Sequence, residues 1–185
     1  DIIIHLAGPS SGPASAKDPV GSISKSYAAT YNTLNLAKKI DVKRFLFASS
    51  MTVYGEVGES DCPVKETMAC NPISHYAIGK HANERLIEVV CKDNDIGYNF
   101  LRIFNVYGPG QDLKRTDQGI VSIFAALLIK SAKLEVRGAL DRFRDIIWID
   151  DVVRSFYEVA KSSSYNGPIN ISTGRKTTIN EIILT

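Results

Sequence analysis

Ser26-Tyr-Ala-Ala-Thr-Tyr-Asn-Thr-Leu-Asn-Leu-Ala-Lys-Lys39 and, a few residues on, Phe45-Leu-Phe-Ala-Ser49 decide the fold. The first segment has a helical pattern and the second is a short apolar run, so the chain passes from helix into buried strand. The same alternation extends both ways. Toward the N-terminus, Ile2 to Leu6 reads as a buried parallel strand that begins at once, followed by a Gly/Ser/Pro loop from Gly8 to Pro13. Such a start belongs to the middle of a larger fold. Toward the C-terminus come a polar loop to Pro72, a helix from Tyr76 to Cys91 and a strand from Asn99 to Phe104. Beyond Tyr107-Gly-Pro-Gly110 the pattern gives a helix from Gly119 to Ser131, a short strand at Leu134 to Arg137 and a strand at Ile146 to Ile149. A helix capped by Asp150 or Asp151 then runs to Ser162, followed by a strand at Ile169 to Ser172 and a helix starting near Ile179. Apolar strands separated by helices of about 12 to 16 residues require crossover connections and parallel pairing, which is α/β architecture with a doubly wound parallel sheet.

The chain has 185 residues, 44% hydrophobic and 23% charged, enough to bury a core in one compact unit. Its formal net charge is +2 and its basic residues are interspersed with acidic ones, which argues against nucleic-acid or anionic-membrane partners. Three cysteines, Cys62, Cys70 and Cys91, without a Cys-x-x-Cys pair give neither a disulfide framework nor a zinc site. With no basic region ahead of a signal-type core and no apolar stretch long enough to cross a bilayer, the expectation is a cytoplasmic protein.

Function is concentrated in Tyr76 and Lys80, four residues apart, and in Ser50 at the end of an apolar run. On a helix that spacing puts a phenol and an ammonium on one face, a turn apart. A tyrosine ionises near pH 10, so it becomes a usable base only when a cation stabilises the phenolate and a hydroxyl shares its proton. Lys80 and Ser50 are placed to supply both. In open α/β sheets ligands gather at the carboxyl ends of strands, where Leu6-Ala7-Gly8, Ser49-Ser50 and Phe104-Asn105 fall.

Seven segments in order resemble the extended short-chain dehydrogenase/reductase family, in particular nucleotide-sugar epimerases of the UDP-glucose 4-epimerase type. They are His5-Leu-Ala-Gly8, Ala29-Thr-Tyr-Asn32, Ser49-Ser-Met-Thr-Val-Tyr-Gly55, Tyr76-x-x-x-Lys80, Arg102-Ile-Phe-Asn-Val-Tyr-Gly-Pro109, Arg144-Asp145 and Asn170-Ile-Ser-Thr-Gly174. The resemblance implies a Rossmann-like sheet with a small C-terminal substrate-binding portion. Residues 1–110 would form the C-terminal part of the cofactor-binding domain, and 111–185 a mixed segment that adds substrate contacts and returning strands to the same unit. By the same resemblance Tyr76 is the catalytic acid/base, Lys80 lowers its pKa and holds the nicotinamide ribose, and Ser50 orients the sugar. Leu6, Ala7, Gly8, Ser49 and Phe104 lie along the cofactor, NAD with NADP as an alternative. Asn105, Arg137 and Arg144 contact the nucleotide sugar, Asn105 and Arg144 at its diphosphate.

Some residues depart from the family pattern. The glycine-rich phosphate loop and the acid for the adenosine ribose are absent from this sequence, which begins at what would be the fourth strand, so this piece is not expected to turn over alone. Ser26 stands where many members have Asn, and Arg137 where UDP-sugar enzymes often carry an aromatic residue. The dehydratases of the family carry Asp-Glu after the position of Ser50, whereas this chain has Met51-Thr52, which cannot serve as that second acid/base pair. What remains is C4 oxidation followed by hydride return to the other face, an NAD-dependent 4-epimerisation. A reductase or dehydrogenase of the same family and a non-catalytic dinucleotide-binding regulator are the alternatives. The resemblance also implies a homodimer through the helices at Ser26 to Lys39 and Tyr76 to Cys91.

Plainer roles compete at several positions. His5 reads as a satisfied core histidine, and His75 and His81 as incidental to catalysis. Asn105 alone would close a turn, and Arg144 alone would pair with Asp145, although Arg142 and Arg144 ahead of an apolar strand also suit a phosphate pocket.

Overall fold

The computed structural model describes residues 1–10, 12–114, 119–130, 136, 138–161 and 165–184. Apart from Val136, the strand expected at Leu134 to Arg137 lies outside the described residues, as do Arg137 itself and the helix ends expected at Ser131 and Ser162. The order is β1 (Ile2–His5), α1 (Gly12–Lys17), α2 (Pro19–Lys39), β2 (Arg44–Ser50), α3 (His75–Lys92), β3 (Gly97–Ile103) and β4 (Asn105–Tyr107). Then follow α4 (Ile120–Ile129), β5 (Phe143–Arg144), β6 (Ile146–Trp148), α5 (Ile149–Lys161), β7 (Gly167–Ile171), β8 (Thr177–Thr178) and α6 (Ile179–Leu184).

The main sheet runs β1-β2-β3-β7 with every pairing parallel. Two small ribbons flank it, β4 parallel to β6 and β5 antiparallel to β8. β7 brings the C-terminal part of the chain back into the main sheet beside β3, so that part is continuous with the first three strands.

Alternation along the central strands explains the unbroken apolar run that marked them in sequence. Phe45 and Phe47 of β2, with Tyr98 and Phe100 of β3, pack against Leu34 and Ala37 of α2 and Ile87 and Cys91 of α3. Leu46 and Leu101 point the other way, into a second core with Ile147, Val152 and Ile171. Both faces are covered, as in parallel sheets generally. β1 differs, since Ile3 packs on the first core while Ile2 and Ile4 on its other face are 45% and 47% exposed.

The structure departs from the sequence reading at element boundaries. α2 begins at Pro19, seven residues ahead of the expected Ser26, because Asp18 Oδ1 accepts the Gly21 N–H at 2.9 Å and Pro19 suits the first turn. The small polar residues between them hide the helix from any apolar pattern. The Gly8 to Pro13 loop gives way at Gly12 to the short helix α1. β4 is a strand that periodicity did not show. Asp150 and Asp151 do not precede α5 as caps but lie in its first turn, where carboxylates complement the helix dipole, and Asp150 accepts the Trp148 Nε1–H at 3.0 Å. His5 is the satisfied core histidine expected, with Nε2 3.0 Å from Thr30 Oγ1 and its ring stacked on Phe47.

Two substitutions test this account by urea denaturation. Phe45→Ala, emptying a fully buried site between α2 and α3, lowers stability by about 3–5 kcal/mol. Asp18→Ala, removing one cap, lowers it by about 1 kcal/mol.

Candidate active site

The carboxyl ends of β1, β2 and β3 open on one cavity of about 650 Å³, whose wall includes Leu6, Gly8, Ser49, Ser50, Phe104 and Asn105. Gly8 sits at φ +138°, a conformation that favours glycine, so the cavity meets bare backbone there. Ala7 is exposed and off that wall; Arg144 in β5 is half-buried and also off it, and Arg137 lies outside the described residues.

Helix α3 supplies the opposite wall. Ser74 Oγ accepts the Ala77 N–H at 3.2 Å, which starts the helix so that Tyr76 falls in its first turn and Lys80 one turn on. Both side chains reach the cavity. Lys80 is buried; Nζ donates to the Ala48 carbonyl at 2.7 Å and stands 4.8 Å from the Phe47 ring and 5.8 Å from the Tyr76 ring centroid. Burial lowers its pKa to about 8, and the Glu84 carboxylate opposes that shift. Tyr76 moves opposite to the expectation from spacing. Burial raises its pKa, and only a hydrogen bond from Ser50 pulls the other way. The cause is burial of the phenol; the Lys80 ammonium is tethered to Ala48 rather than to the phenol.

Ser50 ends β2 and caps the 3-10 turn Met51–Tyr54, accepting from the Thr52 amide at 3.3 Å and from Thr52 Oγ1 at 3.0 Å. That turn ends at Gly55, with φ +77°, where a Cβ would lie 2.0 Å from the Asn71 carbonyl oxygen, so a glycine is required to close the loop over the strand end.

With this geometry, comparison with known proteins is decisive. The profile of the NAD dependent epimerase/dehydratase family matches residues 1–172. The chain belongs to that family. Among its relatives, the putative UDP-glucose 4-epimerase of Methanocaldococcus jannaschii is 32% identical over 98% of this chain and 58% of its own length. The GDP-6-deoxy-D-mannose reductase of Pseudomonas aeruginosa is 30% identical over 99% of this chain and 61% of its own. The crystal structure of UDP-glucose 4-epimerase with UDP-glucose from Thermotoga maritima matches with a TM-score of 0.92 at 32% identity, covering 99% of this chain and 59% of that one. The chain thus spans somewhat more than half the length of these family members.

Sequence reading missed what holds this family member's site together. Glu84, one turn beyond Lys80, is buried and accepts two guanidinium hydrogen bonds from Arg102, at 3.0 and 2.7 Å, and one from Ser49 Oγ at 2.5 Å. Arg102 Nη1 donates to the Tyr54 hydroxyl at 3.0 Å, which donates to Asn170 Oδ1 of β7 at 2.7 Å. Burial disfavours the Arg102 charge, but Glu84 and Tyr54 hold its pKa above the ordinary value. The signal was available, since Tyr76, Lys80 and Glu84 recur every four residues on one helix face. Cys70, His81 and Glu84 bring one ligand atom each within 4.8 Å of one another, yet the Arg102 charge seated on Glu84 repels a cation there.

Asn105 is engaged inside the protein. Its side-chain nitrogen donates to the Asp145 carbonyl at 2.9 Å and approaches Met51 Sδ at 3.8 Å. The Asp145 carboxylate accepts from Thr173 N, Thr173 Oγ1 and Gly174 N rather than forming the expected pair with Arg144, whose Nη1 donates to the Phe143 carbonyl at 2.8 Å. This clamp fixes the loop after β7 against the strand that carries Asn105.

Two outcomes are expected. Glu84→Ala leaves Arg102 buried without its partner and lowers stability by about 3–5 kcal/mol in a denaturant titration. The folded pKa of Lys80 lies below its ordinary 10.5, so its buried charge opposes folding below about pH 8 and ceases to do so by pH 10.5. Relative to Lys80→Met, the wild type therefore gains stability as pH rises across that window; a flat difference would contradict the assignment.

Proposed function

We propose that the full-length protein is an NAD-dependent nucleotide-sugar 4-epimerase of the UDP-glucose 4-epimerase kind. One observation carries the reading. Among the described residues of the cavity wall the titratable side chains are Tyr76, Lys80 and Tyr107, with no carboxylate, imidazole or thiol. One acid/base centre suffices to take a hydroxyl proton at C4 and return it. Dehydration needs a second proton shuttle, and at its place stand the thioether of Met51 and the hydroxyl of Thr52.

The wall suits the nicotinamide end of the cofactor, with the bare backbone of Gly8, the apolar Leu6 and the ring of Phe104 around it. NAD supplies the hydride acceptor and donor; NADP is the alternative. Tyr76 takes the sugar hydroxyl proton, Ser50 donates a hydrogen bond to the phenolate, and Lys80 places a positive charge beside it. Asn105, Arg144 and Arg137 belong to the proposal as contacts to the nucleotide sugar. Support is uneven, because Asn105 is on the wall while Arg144 has to leave the Phe143 carbonyl to reach a diphosphate.

The 30% identical reductase favours a second reading, net reduction or oxidation of a related substrate by the same three residues. A cofactor that is recycled with each turnover distinguishes the epimerase from this rival, which converts cofactor stoichiometrically. A non-catalytic regulator is disfavoured by the assembly of Ser50, Tyr76 and Lys80 on one cavity. Among the described residues no helix is long and apolar enough to cross a membrane. A homodimer completes the proposal, supported by apolar stripes left exposed on the outer helices, Tyr27 and Tyr31 on α2 and Ile78 and Val89 on α3.

Incubation of the full-length protein with a panel of UDP- and GDP-sugars, with products identified by NMR, tests the reaction. Tyr76→Phe is expected to lose about 10²- to 10⁴-fold in turnover while retaining NAD. Near-normal turnover by that variant sinks the acid/base role, and no turnover of any sugar by the wild type sinks the epimerase. Light scattering at twice the monomer mass checks the dimer.

A further inference from the structure

Ser50 Oγ has one hydrogen to give and two lone pairs to receive. Both receiving positions are taken by a single neighbour, through the Thr52 amide at 3.3 Å and Thr52 Oγ1 at 3.0 Å. The hydrogen that remains is left for a partner in the cavity, whose wall Ser50 shares with Tyr76. We propose that Thr52 is a positioning residue for the acid/base step: its hydroxyl locks Ser50 as a donor to the Tyr76 oxygen and so favours the phenolate.

Donor counting makes the direction compulsory. A phenolate only accepts, so Ser50 must donate to it, and Ser50 in turn is polarised by donors on its far side. Were the Ser50 hydrogen turned toward Thr52, the phenolate would lose that bond. Helix capping does not account for the arrangement, because the amide of residue 52 caps the turn whatever its side chain. Met51, on the same wall, has no hydrogen to offer. The residue that fails as a second acid/base therefore acts on the first one without exchanging a proton with substrate.

This inference rests on Tyr76 being the acid/base, but its test needs no turnover. The probe is the ring-carbon NMR resonance of Tyr76 in the NAD-loaded full-length protein, assigned with Tyr76→Phe and followed against pH. Thr52→Val keeps the shape and the amide cap but removes the hydroxyl, and is expected to raise the phenol midpoint by about half to one pH unit, roughly three- to tenfold less phenolate at neutral pH. Thr52→Ala, a second variant without the hydroxyl, shifts the same way, and Thr52→Ser stays at the wild-type midpoint. An unmoved midpoint in Thr52→Val or Thr52→Ala overturns the proposal, as does a Thr52→Ser midpoint displaced as far as that of Thr52→Val. Failure of the epimerase reading looks different, with sugars left unconverted while the phenol titration keeps its dependence on Thr52.

Discussion

A buried ion pair underlies the whole site. Glu84 of α3 and Arg102 of β3 meet through two hydrogen bonds, and Ser49 of β2 joins them on the carboxylate. The helix that carries Tyr76 and Lys80, the strand that carries Ser50 and the strand that leads into Phe104 are thereby fixed to one another at the ends where chemistry is proposed. Neither charge could be buried alone, since an unpaired ion in the interior costs several kcal/mol. The pair adds little net stability relative to apolar packing, but losing either partner would strand the other charge.

From that pair the constraint spreads outward. Arg102 reaches Tyr54 and Tyr54 reaches Asn170, so the loop after Ser50 is tied to β7, a strand contributed by the C-terminal part of the chain. Asn170 also donates from its side chain to the Val64 carbonyl and from its backbone N–H to the Glu66 carboxylate, which pins the long polar loop to the same strand. On the cavity wall, Lys80 is held to the Ala48 carbonyl and Ser50 to Thr52. Burial moves both Tyr76 and Lys80 toward their neutral forms.

Much of this was legible in sequence, for a physical reason. Parallel strands covered on both faces must be continuously apolar, so Phe45 to Ser49 and Asn99 to Phe104 announced themselves, and the helices between them forced parallel pairing. Helix α2 announced only its stretch from Ser26 on, because its first turns are specified by the Asp18 cap and Pro19 rather than by an apolar stripe. β4 was hidden because three residues do not make a period. At the site, the spacing of Tyr76 and Lys80 was enough to find them, whereas the role of Glu84 depends on Arg102, a residue of another element.

The sequence alone determined the class of fold, the strand ends that meet, and the hydroxyl, phenol and amine that meet there. These depend on local periodicity and on residue chemistry, both readable along the chain. Only the tertiary structure decided which groups those residues actually face. It turned Lys80 toward Ala48, placed Asp145 on the Thr173 loop instead of Arg144, and gave Thr52 a hydrogen bond to Ser50. Burial and donor direction are properties of packed neighbours distant in sequence, and they set the charge of a side chain that its spacing can only locate.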